Sequence, residues 1–348
     1  MKKKHLNRRQ LWRIQKIQQE YASRAANRAT AEFNELNHDD LGPEEKGLVI
    51  SHFGQQLDIE ALEGDHAGEI FRCHQRSNLD PLVTGDHVIW QTGKPTGIVI
   101  ANLPRASVLK RPNNFGELKA VAANIDKVII VIAPLPQAYA NLVDRYLVAT
   151  ENSGLKPLIL LNKADLIEPE NDSELLVMLQ RYRQIGYDTL QVSCRSGEGI
   201  PALKSFLQGQ TSIFVGQSGV GKSALINALL PGENTFEGEL SEARNKGRHT
   251  TTSARLFHFP AGGDLIDSPG IREFGMWHMS PAEVFNGFIE FLPFAGHCKF
   301  RDCRHKQEPG CALLSAVERG EIQEERMQSY QHILQSMDES NNFRTPLQ

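Results

Sequence analysis

Gly216-Gln217-Ser218-Gly219-Val220-Gly221-Lys222-Ser223, followed by Ala224, is the stretch on which the reading of this chain turns. It fits G-x-x-x-x-G-K-[ST] and lies between a predicted strand, Thr211–Val215, and a predicted helix, Lys222–Leu230, the context that gives the pattern meaning. The chemistry requires that layout. Glycines let backbone N–H groups wrap a β-phosphate at a helix N-terminus, where the dipole favours anions. Lys222 would reach the β- and γ-phosphates, and Ser223 would ligate Mg²⁺. A Gly-rich turn with no ligand would not need Lys-Ser at that offset.

Working outward, Asp267-Ser-Pro-Gly270 follows the strand-like Asp264-Leu-Ile. An acidic residue at a strand end suits the Mg²⁺ site of a nucleoside triphosphatase, and Gly270 would bring a backbone N–H to the γ-phosphate. Upstream, Asn162-Lys163-Ala164-Asp165 ends the apolar run Leu158–Leu161. A carboxylate there accepts from guanine N1–H and N2–H₂ together. Adenine offers no such pair of donors, so Asp165 would select GTP over ATP. Asn162 would brace the loop, and the stem of Lys163 would cover the base. Ser193-Cys194-Arg-Ser-Gly, at the end of the next strand, fits a loop that supports the base. A phosphate-loop kinase is disfavoured by Asn162-Lys-Ala-Asp165 and by the Thr-rich stretch described next.

Lys246-Gly-Arg-His-Thr-Thr-Thr252 lies between the phosphate loop and Asp267, the place of a first switch. A threonine there can put its hydroxyl on Mg²⁺ and order the loop around the γ-phosphate. Thr250 and Thr251 both qualify, and Thr251 is preferred. Many GTPases orient the attacking water with a Gln directly after D-x-x-G. Here that residue is Ile271, which cannot do so. His249 is the nearest replacement, since imidazole accepts from water near neutral pH. The alternative for His249 is a surface residue that touches RNA.

These motifs belong to one of several segments. Residues 124–276 alternate buried strands (Lys127-Val-Ile-Ile-Val-Ile-Ala133, Lys156-Pro-Leu-Ile-Leu-Leu161) with helical spacing over Tyr139–Ser153, Ser173–Ile185 and Ile200–Leu207, which implies α/β with a mostly parallel sheet. Residues 45–112 hold short strands with Gly-rich turns, among them the alternating Glu69-Ile-Phe-Arg-Cys-His74, and read as a small barrel, OB-like or SH3-like. Residues 1–44 form a basic arm (Lys2, Lys3, Lys4, Arg8, Arg9, Arg13, Lys16, Arg24 and Arg28 against Glu20) on a chain of 348 residues and net charge −4. Such an arm suits a polyanion or is a solvated tail. No apolar run approaches the ~20 residues of a membrane helix, and no secretory signal is present. Five cysteines are too few for a disulfide scaffold in a chain of this length and point to a reducing cytosol.

Three of those cysteines cluster. Cys298, Cys303, His305 and Cys311 offer four ligands within one loop, and Cys₃His fits a closed structural Zn²⁺ site with no open position. His297 competes with His305. Cys73 is isolated and reads as a core thiol. Residues 279–348 are otherwise helical.

The order along the chain is unusual: Asn162-Lys-Ala-Asp165 and Ser193-Cys194 precede the phosphate loop, and Asp267-Ser-Pro-Gly270 comes last. Loops at one edge of a sheet can still meet in space. With this permuted order, Gly247-Arg-His-Thr-Thr-Thr252 and the cysteine spacing, the sequence resembles the circularly permuted GTPases. More narrowly, it resembles the ribosome small-subunit-dependent GTPase A (RsgA/YjeQ) family, over everything except residues 1–44. The resemblance implies an OB-fold at 45–112, a permuted GTPase domain at 113–278 and a zinc domain at 279–348. It favours His305 over His297 as ligand and His249 as the catalytic group. It also implies GTP hydrolysis stimulated by the small ribosomal subunit, with a role in that subunit's late maturation. In that reading the chain is a cytoplasmic monomer that grips ribosomal RNA mainly by phosphate and shape. A nucleotide-gated scaffold with a protein-binding SH3-like module is the competing class.

Overall fold

The computed structural model describes residues 41–54, 56–112, 117–168, 170–230, 254–267 and 279–342. They fall into two compact units. One comprises the described residues up to Leu82 together with Asp86–Pro104. The other comprises Val83–Gly85 and the chain from Arg105 onward.

The first unit is a five-stranded barrel built from β1 (Glu44–Phe53), β2 (Gln56–Ala61), β3 (Ile70–Gln75), β4 (His87–Gln91) and β5 (Gly97–Asn102). The strands run in the order β1-β2-β3-β5-β4, and β4 pairs back onto β1. All pairings are antiparallel except β3 with β5. Closure removes the open edges that a small sheet otherwise exposes. Alternate residues point inward, so Val49, Leu57, Ile59, Cys73, Val88, Trp90 and Val99 fill the interior. Gly47 makes room for that core: a Cβ there would lie 2.5 Å from Ile59 and 2.7 Å from Trp90.

The second unit begins with a hairpin, β6 (Val108–Pro112) and β7 (Leu118–Ala123), and continues as an α/β sheet. Its strands are β8 (Lys127–Ile132), β9 (Lys156–Leu161), β10 (Asp188–Gln191), β11 (Thr211–Val215), β12 (Arg255–His258) and β13 (Asp264–Asp267). Their order is β10-β9-β8-β11-β13-β12, parallel throughout except for β12. Helices α1 (Ala140–Asn152), α2 (Ser173–Ile185), α3 (Ile200–Leu207) and α4 (Lys222–Leu229) are the crossovers. They cover both faces, so β8 and β9 read as almost unbroken apolar runs. Ile129, Val131, Leu158, Leu160, Phe214 and Leu265 pack against Leu203, Leu225 and Leu229.

The C-terminal helices α5 (Pro281–Asn286), α6 (Ala312–Glu318) and α7 (Glu324–Asn342) build a separate core of Val284, Phe288, Phe291, Leu313, Tyr330 and Ile333, into which Val148 of α1 inserts. A capping box at Ser280 and Glu283 starts α5. Among the described residues, no helix is long and apolar enough to cross a membrane.

One buried ion cluster joins α7 to the sheet's helices. Arg326, 2% exposed, pairs through Nη1 with Asp144 of α1 and through Nε with Glu290 at 2.6 Å. Its guanidinium lies 4.3 Å over Phe288, and Tyr182 of α2 donates to Asp144 at 2.5 Å. Burial works against the charged guanidinium, but the two carboxylates outweigh it and raise Arg326 above its ordinary value. Removing one member leaves buried charge without a partner. Arg326→Ala should therefore destabilise the second unit by about 3–5 kcal/mol in urea unfolding. Arg326→Lys should recover little of the loss, because an ammonium cannot serve two carboxylates as a planar fork.

Candidate nucleotide site and metal centre

Parallel strands end on the same edge of a sheet, and that edge is the usual ligand site of an open α/β fold. Here β9, β11 and β13 deliver residues 162–165, the phosphate loop and Asp267 to it, and β10 delivers Ser193. The permuted chain order is therefore immaterial to the site. Each motif still follows its own strand, and strand order alone sets which motifs are neighbours.

Two glycines of the phosphate loop are fixed by close approach. Gly216 has φ +135°, and a Cβ there would sit 2.2 Å from the Val131 carbonyl. Gly221 has φ +94° and caps α4, and a Cβ there would sit 2.4 Å from Asn162 Nδ2. Lys222 Nζ donates back across the loop to the carbonyls of Gly216 and Gln217, at 2.6 Å each. Ser223 follows in the first turn of α4, where backbone N–H groups have no partner within the helix.

The turn at residues 162–165 is tied to that loop directly. Asn162, 1% exposed, donates from Nδ2 to the Val220 carbonyl at 2.9 Å. Lys163 adopts a left-handed conformation, φ +58°, and its Nζ donates to the carbonyls of Gly219 and Leu135, both at 2.7 Å. Asp165 is exposed, and its Oδ1 accepts from Ser193 Oγ at 2.6 Å. Ser193 Oγ also accepts from the Ser196 N–H at 3.1 Å, so the hydroxyl proton is committed to the carboxylate. Cys194 donates to Asn162 Oδ1 at 3.6 Å. Burial, with Asp165 nearby, pushes that thiol up and keeps it a neutral donor.

The structure thus brings Asn162, Lys163, Ala164, Asp165, Ser193, Cys194 and residues 216–224 together on one edge, with Asp267 ending the strand beside the phosphate-loop strand. His249, Thr250, Thr251, Gly270 and Ile271 lie outside the described residues. Sequence reading missed the turn after β8. Its Leu135 contributes only a main-chain carbonyl, and a main-chain contact leaves no trace in side-chain pattern.

The second constellation is the Cys/His loop. The ligand atoms of Cys298, Cys303, His305 and Cys311 all lie within 4.8 Å of one another. His305 Nδ1 is 3.5, 3.6 and 3.3 Å from the three sulfurs, and Cys298 Sγ is 4.0 Å from Cys311 Sγ. A tetrahedral Zn²⁺ with sulfur and nitrogen ligands has edges of about 3.5–3.8 Å, so the donor set fits that ion. His297 is not among these four.

The surroundings hold the ligands in place. Ala312 N–H points to Cys298 Sγ at 3.4 Å, and Gln331 of α7 donates to the His305 carbonyl at 3.0 Å. Glu308 accepts from the backbone N–H groups of Arg304, Lys306 and Gln307, which pulls its carboxyl down to about 2. Purified chain should carry Zn²⁺ by inductively coupled plasma mass spectrometry. Cys303→Ser should lose most of it and raise hydrogen exchange over Val284–Ile333, because a structural metal, where bound, contributes folding energy to the core around it.

Known proteins agree with this geometry. The family model of the RsgA GTPase matches residues 102–277. The chain is 58% identical to the small ribosomal subunit biogenesis GTPase RsgA of Ectopseudomonas mendocina over 98% of this chain and 100% of that one. It is 57% identical to the protein of the same name from Azotobacter vinelandii, over 97% and 99%. Among solved structures, YjeQ from Thermotoga maritima matches with a TM-score of 0.70 at 31% identity, covering 84% of this chain and 98% of that one. YloQ, a circularly permuted GTPase, matches with a TM-score of 0.68 at 26% identity, covering 90% and 99%. A barrel followed by a permuted nucleotide-binding sheet, with relatives this similar end to end, makes the chain a GTPase belonging to the RsgA GTPase family.

Proposed function

We propose that this chain hydrolyses GTP as a switch in late maturation of the small ribosomal subunit, and that the subunit stimulates its turnover. The observation that carries the proposal is the bond from Asn162 to Val220, which couples a guanine-reading turn to a phosphate loop. The relatives' name, small ribosomal subunit biogenesis GTPase, supplies the subunit. In this reading Asp165 accepts from guanine N1–H and N2–H₂, with Ser193 aiming the carboxylate. The stem of Lys163 covers the ring, and Cys194 keeps the Asn162 amide facing the phosphate loop. Lys222 leaves its carbonyl partners for the β- and γ-phosphates, and the Gly270 N–H meets the γ-phosphate.

Ser223, Thr251 and Asp267 are the groups that would hold Mg²⁺, directly or through water. Bound there, Mg²⁺ supplies charge neutralisation between the β- and γ-phosphates. His249 orients the attacking water, since Ile271 cannot. Cys298, Cys303, His305 and Cys311 hold one structural Zn²⁺. The basic arm at 1–44 and the barrel contact ribosomal RNA, and the chain acts as a monomer in the cytosol.

Two tests separate the parts. Asp165→Asn should weaken GDP binding by about 10–100-fold, the scale of a lost hydrogen-bonded charge, and Ser193→Ala by less. Fluorescent GDP titration reads both, and equal affinities would remove Asp165 from base recognition. GTP turnover should then be compared with and without purified small subunits, for wild type and His249→Ala. Groups supplied in trans accelerate GTPases by ~10³–10⁵-fold. Subunits should accelerate wild type on that order, while His249→Ala stays slow with GTP binding intact. No acceleration of wild type would leave the scaffold alternative ahead.

A further inference from the structure

Beside the 162–165 turn lies a groove whose lining is separate from the residues assigned to the nucleotide. It encloses about 780 Å³ between the turn after β8 and the start of α2, with Glu325 of α7 at one end. Leu135, Tyr139 and Val177 line it while 65%, 57% and 54% exposed, and Met178 is buried in its wall. Scattered apolar residues on a surface mean little, but three large ones around one concavity mark a contact.

The electrostatics of the groove narrow the partner. Among the groove's lining residues, Asp172, Glu174 and Glu325 are acidic. Arg181 also lines the groove, but it is paired with Glu325 at 2.5 Å. The rim is therefore negative. It repels a phosphate backbone and attracts a cationic segment.

We propose that this groove docks a basic protein segment of the small ribosomal subunit, which buries an apolar side chain against Leu135, Tyr139 and Val177. The proposal rests on the reading that the subunit is this chain's partner. It gives the subunit a route to the nucleotide. The Leu135 carbonyl that borders the groove also accepts from Lys163 Nζ, and that same nitrogen holds Gly219 of the phosphate loop. An occupant that fixes Leu135 fixes both halves of the GTP site.

The full chain, with purified small subunits and a non-hydrolysable GTP analogue, provides the test. With Val177→p-benzoylphenylalanine, ultraviolet irradiation should crosslink position 177 to a Lys/Arg-rich segment of one ribosomal protein, identified by mass spectrometry. Crosslinks to ribosomal RNA alone, to residues 1–40 of the same chain, to a second copy, or to nothing overturn the proposal. In parallel, Val177→Arg and Glu174→Lys should each cut subunit-stimulated turnover about tenfold at limiting subunit, with basal turnover unchanged. If wild type is stimulated and both variants respond equally, the docking site alone falls. If wild type is not stimulated at all, the subunit reading falls and takes the docking site with it.

Discussion

The nucleotide site depends on one buried amide. Asn162 comes from the end of β9 and Val220 from the loop after β11, and β8 lies between those strands. The main-chain ladder joins each of those strands to β8 and not the two loops to each other. The bond from Asn162 Nδ2 to the Val220 carbonyl joins the loops, and it leaves no room for a side chain at Gly221, whose Cβ would meet the same nitrogen at 2.4 Å. A buried amide with its donor and its acceptor both used is costly to displace. Lys163 adds a second tie from the same turn to Gly219. The 162–165 turn and the phosphate loop are therefore tied together by two side chains of one turn.

That constraint explains why permutation is tolerated. What GTP chemistry requires is a set of loops at the carboxyl edge of a parallel sheet in a given lateral order. The order β10-β9-β8-β11-β13 supplies it wherever the chain begins.

Much of this was legible as sequence because the chemistry demands contiguous residues. A loop that wraps phosphate with its own backbone must carry its glycines and Lys-Ser at fixed offsets. Strands covered on both faces must be apolar throughout, as β8 and β9 are. What stayed hidden is what partners decide. Leu118-Lys-Ala-Val-Ala-Ala123 has little β-branched character and forms a strand because Val108–Pro112 pairs with it. Whether the first unit was OB-like or SH3-like was settled by the parallel pairing of β3 with β5 and the closure of β4 on β1, both non-local. Arg326 sits in Glu-Glu-Arg-Met-Gln, which reads as a solvated helix face. Its burial is set by Asp144 and Glu290, far away in the chain.

The permuted order also changes how the C-terminal helices are attached. Because β13 is the last strand of the sheet, the chain runs from Asp267, on the triphosphate side, into the segment that carries α5, the Cys/His loop and α7. α7 then returns to α1 through Arg326 and Asp144. α1 itself begins directly after the turn whose Leu135 carbonyl takes Lys163 of the base-recognition turn. The Cys/His loop is thus linked to the sheet through α7 and a buried ion pair. Here the Cys/His loop and the 162–165 turn are joined by a path of packed helix and hydrogen bonds through α7, α1 and Leu135.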